Sequence, residues 1–227
     1  MRENNRIIGL DQIRGIGVIL MIIFHFCYDL KMHQLPSIPG DSTLFWYWLP
    51  RLIVFIFLFC VGAALRMAHQ STIQWRAFFN RFLKIAGAAF SISIVTYFLY
   101  PSRWVYFGTL HCIALCSFFS IAFIKWPKIS LFFSISIITP VVFFEYKYPW
   151  IDLGHPSMDY EPFLPWFYVC LLGIYVESTG FIKKVNIPNL LGGNYLLFLG
   201  KKALIIYLIH QPILFGLTYL LSRLNKL

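Results

Sequence analysis

The sequence predicts an all-α protein, a polytopic transmembrane bundle of about seven helices forming one domain over residues 1–227. Three observations predict it. Apolar stretches of about 20 residues, enough to cross a hydrocarbon core, alternate with charged turns. Charged residues are 12% of the chain against 59% hydrophobic, roughly half the charge of a soluble domain, and mean hydropathy is +0.71. Aromatic residues reach 19%, as membrane–water interfaces favour.

The spans follow in order. The first, 7–31, comes after Arg2 and Arg6. Asp11 and Arg14 interrupt its start, and it continues through Phe26 without a small-residue cleavage site, so it reads as a retained span and not a signal peptide. The second, 45–67, ends at Arg66, and the third, 76–100, opens on Arg76, Arg81 and Lys84. The fourth, 107–125, ends at Lys125; the fifth, 129–146, follows Lys128 and is interrupted by Pro140. The sixth, 162–179, precedes Lys183 and Lys184, and the seventh, 199–222, contains Lys201 and Lys202 near its start.

The basic residues orient the bundle. With the N-terminus in the cytoplasm, the twelve residues Arg2, Arg6, Arg66, Arg76, Arg81, Lys84, Lys125, Lys128, Lys183, Lys184, Lys201 and Lys202 lie inside. Lys31, Arg51, Arg103, Lys147, Arg223 and Lys226 lie outside, together with the acids Asp29, Asp41, Glu145, Asp152, Asp159 and Glu161. This is the positive-inside asymmetry of an inner-membrane protein, with the C-terminus outside. It also accounts for the net charge of +10, so the basic balance does not signal nucleic acid; the partner it implies is the membrane lipid. The outer side receives the longest loops, 32–44 and 147–161. The second is rich in Pro, Asp, Tyr and His, and reads either as a cap over a site or as an ordered connection. Cys27, Cys60, Cys112, Cys116 and Cys170 lie in apolar segments without a CxxC, and read as small apolar packing residues. No metal is expected.

The first helix carries the chemistry. Asp11, Arg14, His25 and Asp29 are its polar residues. From Arg14 to His25 is about three whole turns, so both fall on one face. Asp11 lies three residues before Arg14 and Asp29 four after His25, each within reach of its neighbour. Ionisable groups at membrane depth cost roughly 2.5–3.5 kcal/mol each on insertion scales. Taken singly, each reads as an interfacial ion pair or a bonded core histidine; four in register read as a lined cavity. Gly15 and Gly17 allow another helix or a ligand to approach closely. Arg14 and His25 are separated by about 16 Å along the axis, comparable to an extended pantetheine arm. Arg14 could hold a phosphate of coenzyme A bidentately, leaving His25 near a thioester.

These residues resemble a known family. Leu10-Asp11-Gln12-Ile13-Arg14-Gly15, the Arg-x10-His spacing to His25, and Tyr28-Asp29-Leu30 resemble the start of transmembrane acyltransferases, the spacing being similar to acyltransferase 3 proteins. Phe107-Gly108-Thr109-Leu110-His111-Cys112-Ile113, Asp159-Tyr160-Glu161-Pro162 with Pro165-Trp166, and Tyr207-Leu208-Ile209-His210-Gln211-Pro212 extend the likeness over nearly the full length. The chain is most similar to short bacterial relatives of heparan-alpha-glucosaminide N-acetyltransferase. The resemblance implies transfer of an acyl group, commonly acetyl from acetyl-CoA as donor substrate, to a cell-envelope sugar or glycan across the membrane. One departure concerns the base: the lysosomal heparan enzyme has Asn where this chain has His25, and its catalytic histidine lies downstream, so His33 is a rival. Bacterial members with histidine at this place favour His25.

On this reading His25 is the general base, an unperturbed imidazole titrating near 6.5, and Asp29 is expected to receive its other ring N–H. Arg14 is expected to hold donor phosphate, oriented by Asp11. His111, at the start of the fourth helix, reads either as a contact to acceptor or oxyanion or as a histidine bonded to neighbouring backbone. His210 and Gln211, beside Pro212, line the cavity or bond within the bundle. Arg51 binds an anionic acceptor or snorkels. Trp166 reads as an interfacial anchor and Asp159 as a loop cap, either able to touch sugar, and Glu177 as solvated. A homodimer is compatible with the sequence. The competing reading is a proton-coupled small-molecule transporter, since buried His, Asp and Arg also serve proton relays; paired halves with interrupted helices are not evident.

Overall fold

The computed structural model describes residues 8–36, 40 and 42–224; Arg2, Arg6, Asp41 and Lys226, used above to orient the chain, lie outside the described residues. Among the described residues there are nine α-helices: α1 Ile8–Met32, α2 Leu49–His69, α3 Trp75–Leu99, α4 Thr109–Ser120, α5 Pro127–Phe144, α6 Phe163–Ser178, α7 Phe181–Lys184, α8 Gly193–Lys201 and α9 Ala203–Leu224. A π-helical turn, Leu44–Trp48, leads into α2, and a 3₁₀ turn, Ile121–Phe123, continues α4. The β-structure described is an isolated bridge between Phe107 and Tyr160.

Five segments are long and apolar enough to cross a membrane: α1, Leu44–His69, α3, α5 and α9. Two shorter apolar helices, Thr109–Phe123 and Phe163–Ser178, stand where the fourth and sixth spans were expected. The chain is a multi-pass membrane protein. Large apolar side chains such as Phe90, Phe98, Phe132 and Phe143 are exposed, as lipid-facing positions are.

The expectation of one helix over 199–222 needs correction. Two helices, α8 and α9, meet at Lys202, whose N–H turns back to the carbonyls of Phe198 and Leu199. Two adjacent lysines close α8, and its glycines serve close packing, so hydrophobic periodicity alone did not reveal it.

The helices fall into two compact units. One comprises residues 7–56 and 185–227. Here α8 lies antiparallel against α1 with almost no side chain between the backbones. A Cβ on Gly15 would stand 2.1 Å from the Leu196 carbonyl oxygen, and one on Gly200 1.8 Å from that of Asp11. Gln12, 2% exposed, secures the preceding segment: its amide donates to the Ile187 carbonyl at 2.9 Å and accepts from the Ile187 N–H at 2.8 Å.

In the same unit α9 runs parallel to α1. His25 faces His210, Asp29 faces Gln211, and His33 faces Phe215 and Tyr219. Parallel first and last spans need an odd number of crossings between them. Between them Leu44–His69, α3 and α5 are long and apolar enough to supply that number, while α7 and α8, of 4 and 9 residues, are too short to cross.

The other unit contains residues 57–184. A Cβ on Gly62 would meet the Cys170 carbonyl at 1.9 Å and one on Gly173 that of Phe59 at 2.3 Å, so α2 and α6 pack backbone to backbone. Ser130 and Ser134 of α5 donate to the carbonyls of Leu171 and Tyr168 in α6 at 2.7 and 2.9 Å. All five cysteines are buried free thiols. Glu177, expected to be solvated, is instead 4% exposed. Its carboxylate lies 3.0 Å from Nε of Arg66, whose Nη1 donates to the Ile124 carbonyl. A carboxylate at a packed helix end is tolerated when a cation neutralises it, and α2 delivers Arg66 to that place.

Candidate functional site

The polar residues of α1 do share a face, and that face is turned toward α8 and α9. At its N-terminal end, Arg14 donates to Asp11 Oδ1 at 2.7 Å, the i,i+3 pair expected from spacing. The same Nη1 lies 3.5 Å from the Gly200 carbonyl, so the guanidinium also meets the negative C-terminal end of α8. Asp11 is buried, with its side chain 5% exposed, and Arg14 retains 18%. Lys201 and Lys202, both exposed, follow Gly200 directly and concentrate positive charge at this end.

Toward the other end, the His25 and His210 rings lie 4.8 Å apart between centroids, with Phe24 edge-on to His25 at 5.5 Å. His210 is 7% exposed. Its Nδ1 is 2.7 Å from the Tyr207 carbonyl, which can only accept. Nδ1 therefore carries the proton, and a neutral His210 presents Nε2 as a bare lone pair.

Asp29 is fully buried, but its expected partner is corrected. Its Oδ1 accepts from Nε2 of Gln211 at 2.9 Å, so the carboxylate is held across to α9 and not along α1 to His25. One helical turn brings Cβ atoms together without aligning the side chains, and a donor on α9 competes for the same oxygen.

Four buried polar atoms on this seam have no hydrogen-bond partner: Asp29 Oδ2, His33 Nε2, His210 Nε2 and Gln211 Oε1. Buried polar side-chain atoms are nearly always satisfied, by protein, water or ligand. On α1 and α9 these four atoms keep hydrogen-bonding capacity that the protein itself does not fill.

Arg51, His111 and Asp159 are engaged by neighbouring groups of the protein. Arg51, exposed, donates to the Tyr47 carbonyl at 2.7 Å and stacks over the Tyr47 ring at 3.6 Å. In the unit of residues 57–184, Nδ1 of His111 accepts from the Gly108 N–H at 3.1 Å, so its neutral tautomer carries the proton on Nε2. That N–H faces Ser93 Oγ at 3.1 Å, and the Ser93 hydroxyl donates to the Val105 carbonyl at 2.6 Å. Asp159 caps α4, accepting from the Thr109 N–H at 2.8 Å and the Thr109 hydroxyl at 3.0 Å. Trp166 is half-buried in the first turns of α6. Among the described residues no group of His, Cys, Asp and Glu could hold a metal.

Sequence reasoning missed Gln12, which sits inside the quoted motif between Asp11 and Arg14, where a buried amide was a usable signal. It also missed Ser93, whose partner comes from another helix and leaves no local spacing to find.

Neither a curated protein nor a solved structure matches the chain. Residues 6–212 match the family model described as heparan-alpha-glucosaminide N-acetyltransferase, catalytic. That match covers nearly the whole chain, including the polar seam of α1 and α9, and the chain therefore belongs to this family of membrane acyltransferases.

Proposed function

We propose that the chain, acting as one functional domain, transfers an acyl group, commonly acetyl, from acyl-CoA to a sugar or glycan of the cell envelope. The observation that carries this reading is the row of unpartnered polar atoms on Asp29, His33, His210 and Gln211, continuing from the basic end at Arg14. A transporter relay would also use such groups. The family match favours group transfer, since it describes an acetyltransferase.

In the proposed arrangement Arg14, held by Asp11 and flanked by Lys201 and Lys202, binds donor phosphate. The separation of about 16 Å along α1 lets an extended thioester arm reach His25. His25 accepts the proton of the acceptor hydroxyl or amine as oxygen or nitrogen attacks the thioester carbonyl, and the thiolate of coenzyme A leaves. His210, with its lone pair on Nε2, and Gln211 with Asp29 support the polar side of this centre. His33 is the rival base. The positive-inside charge pattern supports a bacterial inner membrane with the N-terminus in the cytoplasm, so that donor and acceptor enter from opposite sides.

The test uses the full chain in membranes with labelled acetyl-CoA and envelope glycans. Label is expected in a sugar product, with loss in His25→Ala at equal expression. Full transfer by His25→Ala, combined with loss in His33→Ala, would move the base to His33. Absence of thioester cleavage together with proton-coupled uptake would replace the enzyme by a transporter.

A further inference from the structure

Past the paired histidines, α1 and α9 end side by side. Helices of 25 and 22 residues cross a hydrocarbon core completely, so their C-terminal ends stand at the depth of lipid headgroups. There they border an open cleft of about 410 Å³, lined by Met32, His33 and Gln34 from the end of α1 and by Phe215, Tyr219 and Arg223 from α9. The cleft is basic and aromatic. Arg223 directs Nε and Nη2 onto the Tyr219 hydroxyl at 3.1 and 2.8 Å, and the His33 ring lies 4.9 Å from Phe215 and 5.9 Å from Tyr219. Nε2 of His33 is buried without a hydrogen-bond partner. Among the described residues no acidic side chain lines the cleft. Asp29, one turn before His33, is fully buried and held by Gln211.

The border of the cleft separates it from a pocket for a soluble anion. On α9 the helical period places Phe215 and Tyr219 to one side of Arg223, and Ile213, Leu217, Leu220 and Leu224 to the other. The first pair lines the cleft, and the second set is an exposed apolar row. Arg223, itself exposed, thus stands on the line between a polar cleft and a lipid-facing ridge, where a headgroup phosphate would lie.

We propose that the cleft binds one anionic phospholipid whose headgroup carries hydroxyls and no cation, the phosphatidylglycerol class. Its phosphodiester meets the Arg223 guanidinium through charge-assisted bonds. A headgroup hydroxyl, which both donates and accepts, meets His33 Nε2 in either tautomer. An acyl chain follows the ridge from Leu224 to Ile213. A choline or ethanolamine headgroup would bring a cation beside Arg223 and offset the attraction. Because both helices touch it, the lipid clamps α1 to α9 beyond the bond between Asp29 and Gln211. The lipid is a bound component and not a reactant, so the site does not depend on the acyl-transfer reading.

The experiment is native mass spectrometry of the full-length protein in detergent, with equimolar phosphatidylglycerol and phosphatidylcholine of the same acyl chains. One phosphatidylglycerol is expected to be retained, favoured about fivefold or more over phosphatidylcholine. That preference should be lost in Arg223→Gln and partly restored in Arg223→Lys. It should persist in Lys128→Gln, which removes the same charge from an exposed position in the other unit. Phosphatidylglycerol should also raise the melting temperature of the unsubstituted protein more than that of Arg223→Gln, and melting in phosphatidylcholine checks that the variants keep the fold. Equal retention of the two lipids, a preference that survives Arg223→Gln, or one that falls equally in Lys128→Gln overturns the proposal. Glycerophosphoglycerol, the same headgroup without acyl chains, should not displace the lipid at equal concentration. Displacement by it would make the cleft a soluble-anion site and overturn the lipid assignment.

Discussion

Nε2 of Gln211 donates to Oδ1 of Asp29 at 2.9 Å, joining the first and last spans at the position one turn beyond His25. The bond fixes the register in which His25 faces His210 and His33 faces Phe215. It is also the main departure from the geometry that spacing alone suggests, because it turns the carboxylate away from the histidine on its own helix.

Removing that donor should be felt in stability. Gln211→Leu leaves a buried carboxylate without its hydrogen bond, at a cost of about 1–3 kcal/mol. Asp29→Leu with Gln211→Leu removes both polar ends, so the double variant should lose less than the sum of the singles. Thermal unfolding in detergent measures the cycle; additive losses would show that the two side chains are not coupled.

The glycines give a contrast of sign. Gly15→Val forces a side chain into the Leu196 carbonyl, which a Cβ would approach to 2.1 Å, and α8 must move off α1. A loss of about 1–3 kcal/mol is expected from overpacking alone. Gly216, within α9, has open space around an added Cβ, so Gly216→Ala should be neutral or stabilising by up to about 1 kcal/mol. Melting temperatures of the two variants should move in opposite directions or differ by several degrees.

Much of this arrangement was legible from residues alone. Span lengths and charged turns gave the long helices because the bilayer imposes a length and an apolar character on them. The Asp11–Arg14 pair followed from i,i+3 spacing, and the shared face of Arg14 and His25 from helical period. What escaped was whatever depends on a partner distant in sequence. Glu177 read as solvated because Arg66 lies far away along the chain. Asp29 was assigned to His25 because Gln211 stands 182 positions later. The break between α8 and α9 was hidden because the residues on both sides are apolar, and periodicity does not register a two-lysine corner.

The Arg66–Glu177 pair should behave as a buried staple. Arg66→Met alone leaves Glu177, 4% exposed, as an uncompensated charge, with a loss of about 3–5 kcal/mol. Arg66→Met with Glu177→Leu should recover a large part of it. Unfolding temperatures of the single and double variants decide the matter; no recovery would mean that Arg66 acts chiefly through its bond to the Ile124 carbonyl.

The histidines are separated by pH. A general base works only when deprotonated, so transfer should rise with pH through the titration of the essential imidazole and level off above it. His111 is ill-suited to that role. Its Nδ1 already accepts from the Gly108 N–H, and the proton on Nε2 faces Ser93, so the neutral ring has no lone pair free for an acceptor proton. His111→Asn should therefore lower stability by about 1 kcal/mol, the scale of a lost helix-start bond, while keeping the rising limb of the pH profile. His25→Asn should abolish that limb along with most of the rate. Rate–pH profiles of both variants, with protein amounts equalised, provide the check. A profile flattened by His111→Asn and left intact by His25→Asn would exchange the roles assigned to them.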